Sequence, residues 1–354
     1  MSTALAPAPA PAPVPAAAAV RRPSLLRAEL RRFRSRRLVQ LLLLLGALVF
    51  AGVVALATTQ FATSSPEVLA AATQQRQVVL DQSRGYREQC LAQPTPQGVP
   101  AGTPAEEYCG PPLTIEDLGP IDNFIDKRPF TLDSEGRAGL VAVAAATAGL
   151  AFLLGATYVG AEWSTRSMVA LLFWEPRRLK VMATKLGVLV GVTAVLAVLA
   201  EGAWLLAARY LLATARGTTT VPNGTWGELY GSAGRGVLFV VLVGLLGFGI
   251  ANLLRNTAAS FGFAFVYFVI VENVLRGFRP GLRPYLLTEN ATALLTEGGQ
   301  RIYTNEYFID ERGNYIDTGR EILVSNLHGG LLLAGVVAAV VVLGVVLFAR
   351  RDLN

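Results

Sequence analysis

Residues Gly160–Lys185 read GAEWSTRSMVALLFWEPRRLKVMATK. Glu162 stands at the head, Met168 to Trp174 is apolar without a break, Pro176 closes the run, and Arg177, Arg178, Lys180 and Lys185 follow. The apolar run is far short of the roughly 20 residues that a hydrocarbon core of about 30 Å demands. A short helix lying at a membrane surface accommodates it. Ser164 or Thr165 is placed to cap that helix, and Pro176 disfavours helix at Glu175 and turns the chain. An ordinary interfacial loop is the alternative these residues allow. Long apolar stretches run away from the segment on both sides, so in either case it joins two spans.

Composition agrees with a membrane chain. The 354 residues are 53% hydrophobic and 16% charged, with a mean hydropathy of +0.46; soluble domains carry about 25% charge. The net charge of +6 does not signal nucleic acid, because the arginines flank apolar spans and form no soluble basic domain. Six spans are expected: Leu38–Thr58, Gly139–Gly160, Leu186–Ala208, Val237–Leu254, Phe261–Leu275 and Gly330–Phe348. Only Asn252 to Asn256 divides the fourth from the fifth, which implies a tight turn. Backbone groups in lipid must be satisfied internally, so the spans are expected as helices, and their many Gly and Ala residues favour close packing.

Lys and Arg near the span ends set orientation. The arginines from Arg21 to Arg37, the basic cluster of the opening segment, Arg255, and Arg350 with Arg351 all fall on one side if the spans number six. Both termini are then expected in the cytoplasm, with residues 60–137 and 276–327 outside. Residues 1–20 form a disordered Ala/Pro tail rather than a signal peptide. Residues 21–37 are expected as a basic amphipathic helix on the membrane lipids, capped by Ser24, or as a plain arginine anchor. Residues 38–354 form the six-helix domain. The fold class is therefore an all-α membrane protein.

Cys90 and Cys109 are the two cysteines, and both fall in the first outer loop. In an oxidising compartment they close a loop contributing about 3 kcal/mol; two free thiols are the alternative. Their spacing matches no zinc pattern, and no metal site is expected. Pro94, Pro96, Pro100, Pro104, Pro111 and Pro112 point to turns and short helical pieces in that loop.

The order Glu162, Ser164-Thr165, Leu171-Leu172, Pro176, Arg177-Arg178 and then Lys185 opening a span resembles the permease subunit of ABC-2 type transporters. The resemblance covers Arg21 to Arg351 in plan and the opening segment in motif. It implies that residues 161–180 form a cytoplasmic coupling helix that docks into a separate ATPase subunit. Glu162, Thr165, Met168, Leu171, Leu172, Phe173, Trp174, Pro176, Arg177 and Arg178 are the coupling residues by that likeness. Arg177 and Arg178 face either acids of the ATPase or anionic lipid. It further implies a pore of two copies, or of one copy and a paralogue, with ATP and Mg held by the partner, no cofactor bound by this chain, and export from a bacterial cell. Two features depart from the family: Arg166 stands near where the family often has Gly, and the loop 60–137 is long.

Leu295-Thr296-Glu297-Gly298-Gly299-Gln300-Arg301 resembles an ABC ATPase signature. It falls on the outer side in a chain without a phosphate loop, and is read as a turn. Asn223-Gly-Thr225 and Asn290-Ala-Thr292 match glycan acceptors by chance composition. Charged groups inside spans call for a function by default, which singles out Glu201 and Glu272 as a translocation path; for Glu201 a structural hydrogen bond is the alternative. His328, the one histidine, stands in no hydrolytic constellation, so no enzyme is expected. A non-transporting sensor or scaffold, binding an extracytoplasmic partner through the outer loop, is the second functional class.

Overall fold

The computed structural model describes residues 24–61, 66–94, 100, 103–125, 130–214, 221–304, 307–309, 312, 315–317 and 319–350. The Ala/Pro tail, Arg21, Arg22 and Arg351 lie outside them. Twelve α-helices are described: α1 (Leu25–Ser35), α2 (Arg37–Gln60), α3 (Pro66–Ala92), α4 (Ala105–Tyr108), α5 (Arg137–Ser164), α6 (Ser167–Trp174), α7 (Arg178–Thr214), α8 (Thr225–Leu254), α9 (Thr257–Phe265), α10 (Glu272–Phe278), α11 (Leu287–Leu295) and α12 (Asn326–Arg350). Six segments are long and apolar enough to cross a membrane: α2, α5, α7, α8, the continuous α9–α10 stretch and α12. The chain is a helical, multi-pass membrane protein by this measure.

Alternation of glycine with larger residues explains the centre of the bundle. α5 and α8 pack along their length. A Cβ on Gly155 would lie 2.1 Å from the Gly244 carbonyl oxygen, and one on Gly247 would lie 2.5 Å from that of Phe152. Only a residue without a side chain admits backbones so close. Leu154, Tyr158, Val159, Met182, Leu189 and Phe248 fill one core around this seam at the end carrying α1 and α6, and Trp204, Leu211 and Leu229 fill another toward the opposite end. The turn between α8 and α9 is reduced to Arg255 and Asn256, with Asn256 Oδ1 accepting from the Ala259 amide at 3.1 Å.

The loop ends of the bundle are more ordered than their composition implies. Cys90 and Cys109 form a disulfide with Cα atoms 6.0 Å apart. The turns and short helical pieces expected there lie beyond Ala92, in α4 and a 3-10 turn at Ile121–Phe124; ahead of them the loop begins with the 27-residue α3, whose one proline, Pro66, sits at its first position, where a proline is tolerated. Arg76 fastens α3 by donating to the carbonyls of Ile115 (2.6 Å) and Gly119 (2.8 Å). The second loop holds the described strands β1 (Gln300–Thr304), β2 (Tyr307–Ile309), β3 (Tyr315–Asp317) and β4 (Arg320–Val324). β1 pairs antiparallel with β4, and β2 with β3, an addition to the expected all-helical fold. The Gly298-Gly299 turn opens this element: both glycines have φ above +70°, and a Cβ on Gly299 would meet the Val324 carbonyl at 2.2 Å.

Candidate functional site

The charges of the basic end converge on one buried cluster. α1 carries a single acid, Glu29, among its arginines, and that acid is 1% exposed. The helix is strongly two-faced, so docking its apolar face against α7 turns Glu29 inward with Phe33. There Glu29 Oε2 lies 2.7 Å from Lys185 Nζ and accepts from the Tyr158 hydroxyl at 2.8 Å. Lys185 is fully buried and also pairs with Glu162 Oε2 at 2.8 Å. Glu162 Oε1 in turn takes Arg36 Nη2 at 2.6 Å. Arg36 Nη1 donates to the carbonyls of Thr157 and Tyr158. Tyr158 lies beneath both cations, 4.8 Å from Lys185 Nζ and 5.4 Å from the Arg36 guanidinium carbon, within cation–π range.

The electrostatics balance. Burial pushes Glu29 upward, but the Lys185 ammonium, its hydrogen bond, the Tyr158 hydroxyl and Arg32 outweigh that and hold the carboxyl below its ordinary value of 4.5. The cluster joins α1, the α1–α2 elbow, α5 and α7 by charge-assisted hydrogen bonds, which are about twice as strong as neutral ones. A cleft of about 400 Å³ adjoins it, bounded by Arg36, Arg37, Leu38 and Val39 on one side and by Thr157, Ala161, Glu162, Thr165 and Ser167 on the other.

α6 hangs from this cluster, beginning five residues beyond Glu162. Thr165 does not cap it; its hydroxyl donates to the Ala161 carbonyl at 2.8 Å. The residue at the N-cap position, just ahead of α6, is Arg166, in the left-handed region at φ 56°, the conformation that glycine adopts freely. A non-glycine residue costs about 1–2 kcal/mol there. Arg166→Gly is therefore expected to raise the thermal midpoint of the purified chain slightly, an outcome checked by unfolding in detergent, whereas Arg166→Val should lower it.

Helical geometry divides the coupling residues of the sequence reading. Met168 and Leu171 are buried and Leu172 is half-buried, all facing the bundle. Phe173 and Trp174 project outward at 85% and 87% exposure. Glu175 is extended ahead of Pro176, as the following proline requires. Arg177 is exposed. Arg178 is turned the other way and donates to the Phe348 and Ala349 carbonyls at the end of α12. Of the coupling residues, Thr165, Phe173, Trp174, Pro176 and Arg177 are exposed, and Phe173 and Trp174 project furthest.

The acids within the spans part company. Glu272 Oε1 accepts from the Leu287 and Thr288 amides at 2.8 and 3.2 Å and its other oxygen from the Thr288 hydroxyl, so it serves as an anionic cap on α11. Glu201 is 2% exposed, against Gly236 and Ala144. Asn290 is fully buried and spends its amide nitrogen on the Pro284 and Leu286 carbonyls, which withdraws it as a glycan acceptor. Among the described residues, no group of three or more His, Cys, Asp or Glu is placed to hold a metal ion. Glu29 was missed in the sequence; the one signal for it is an acid set alone in a run of arginines.

No protein-family model, curated protein or solved structure matches this chain.

Proposed function

We propose that this chain is the membrane-spanning permease subunit of an ATP-driven transporter of the ABC-2 type, lying in a bacterial plasma membrane with both termini in the cytoplasm. The observation that carries the reading is α6. It ends in two aromatic side chains held out from the bundle, while its root is fixed to a buried charge cluster tied to three other elements. Exposed aromatics of this kind make anchors for a protein partner, and a rigid root transmits what the anchors receive. On this reading a separate ATPase subunit closes on ATP and Mg, presses on Phe173 and Trp174, and drives the spans between two arrangements. Two copies, or a copy and a paralogue, supply the pore. Export is the direction the resemblance favours.

Phe173→Asp combined with Trp174→Asp is expected to abolish co-purification of a co-expressed ABC ATPase subunit, while membrane insertion and the elution profile of the purified chain stay unchanged. Undiminished capture of the ATPase by that variant would sink the docking claim. The disulfide-fastened α3 favours a second reading, a sensor that binds a partner outside the membrane. That reading leaves the double aspartate variant without a functional defect.

A further inference from the structure

A second ionisable group stands apart from the cluster. Glu201 lies on α7 more than four turns beyond Lys185, well inside the membrane-spanning stretch. It is 2% exposed, and neither carboxylate oxygen has a hydrogen-bond partner among the described residues. The packing around it is tight and apolar: a Cβ on Gly236 of α8 would stand 2.6 Å from Glu201 Oε1 and 3.3 Å from Ala144 Cβ of α5. Gly236 is thus the residue that makes room for the carboxyl.

No charged group on the surrounding elements pairs with Glu201 among the described residues. On α5, Arg137 pairs with Asp133, Glu228 and Glu297, and the next charge is Glu162 at the far end. On α8, Arg235 turns its Nη2 to the Ser232 hydroxyl at 2.7 Å, and no further charge occurs before Arg255. On α7 itself, Arg209 is exposed about two turns on. α2, which borders the neighbouring core, has no charge between Arg37 and Gln60. No described residue forms an ion pair with Glu201. An isolated carboxylate in such surroundings is far costlier than the neutral acid.

We propose that Glu201 is a proton-binding site: the carboxyl holds a proton while α5, α7 and α8 are packed together, and yields it to water when they separate. In the release step the O–H bond breaks heterolytically, the electron pair stays on the carboxylate and water takes the proton. Reclosure of the helices requires its return. The bundle's transition between arrangements is thereby linked to one proton. The inference rests on the chain crossing a membrane, but not on the ATPase partner.

The test uses the purified full-length chain in lipid nanodiscs. At neutral pH the infrared spectrum should contain a protonated-carboxyl stretch that Glu201→Gln removes, and dicyclohexylcarbodiimide, a reagent for acids in apolar surroundings, should modify the peptide containing Glu201. Raising the pH should bring a change in tryptophan emission, since Trp204 sits one turn from Glu201 with its indole N–H on the Gly136 carbonyl; the glutamine variant should lose that change. A wild-type chain with no protonated band at neutral pH and no carbodiimide adduct overturns the proposal, and that result needs no variant to fold. An emission change that persists in Glu201→Gln also overturns it. Failure of ATPase capture in the α6 experiment leaves these readouts untouched, so the two ideas fail separately.

Discussion

Lys185→Met is expected to lower the stability of the purified chain by about 3–5 kcal/mol, the usual cost of removing one partner of a buried ion pair. The ammonium is fully buried between Glu29 and Glu162, at 2.7 and 2.8 Å. Methionine fills nearly the same volume, so packing changes little and the loss comes from two carboxylates deprived of their shared cation. Glu162 keeps Arg36, whereas Glu29 keeps only Arg32, at 3.4 Å, and the Tyr158 hydroxyl. α1 should therefore detach first, which limited proteolysis between α1 and α2 reads directly. Adding Glu29→Gln to Lys185→Met should recover a large part of the loss, because it removes the worse of the two unpaired charges. Acid should imitate the lysine variant. Glu29 is held below 4.5 in the folded chain, so its contribution is complete above that value and fades as pH falls through the lowered one. Protease sensitivity of the α1–α2 elbow should rise in that acid window in the wild type and be pH-independent in the double variant. An elbow equally resistant in Lys185→Met would refute the joint.

Gly155→Val should cost about 3 kcal/mol or more, at the upper end for overpacking. The obstacle is backbone: the new Cβ would stand 2.1 Å from the Gly244 carbonyl oxygen and 3.0 Å from the Phe248 amide nitrogen. Backbone atoms cannot rotate aside as a side chain does, so α5 and α8 must part along their shared seam. Gly149→Val on the same helix is the matched control. It has nothing within 4 Å of the added Cβ, carries the same change in helix propensity, and should unfold at the wild-type temperature or above it. Equal thermal midpoints for the two variants would remove the close α5–α8 approach as a source of stability.

Hydropathy alone made the six spans legible, along with the tight turn before Asn256; the pairing partner of Cys90 followed from a count of two cysteines, both in one loop. These are local or compositional signals. The charge cluster was not legible in the same way. Lys185 was readable as the basic start of a span, but its partner Glu29 sits in a segment whose arginines dominate every pattern, and the contact joins residues on opposite sides of two spans. α3 was hidden for another reason: prolines after residue 92 coloured the reading of the whole loop. Pairing of β1 with β4 left a fainter trace, since Ile302 and Thr304 on one strand and Val324 on the other are buried in alternation. On α6, the unbroken apolar run concealed which residues face inward. Only the position of the helix axis separates Met168 and Leu171 from Phe173 and Trp174.

α2 is secured at both extremities and touches the bundle between them along one narrow face, through Leu42, Gly46, Phe50, Val54 and Ala57. At one end Arg36 is bonded to α5; just past the other, the Phe61 ring meets Phe130 edge-on with centroids 5.1 Å apart. None of its most apolar stretch is buried. Such a helix is a ruler. Its 24 residues measure about 36 Å, and on its exposed face nearly any apolar lettering would give that measure. What the fold reads is the count. One residue inserted at Val49 would turn Phe61 by about 100° relative to Arg36 and lift it about 1.5 Å, parting it from Phe130, while leucine replacements at the exposed positions of the same helix would leave both fastenings in place.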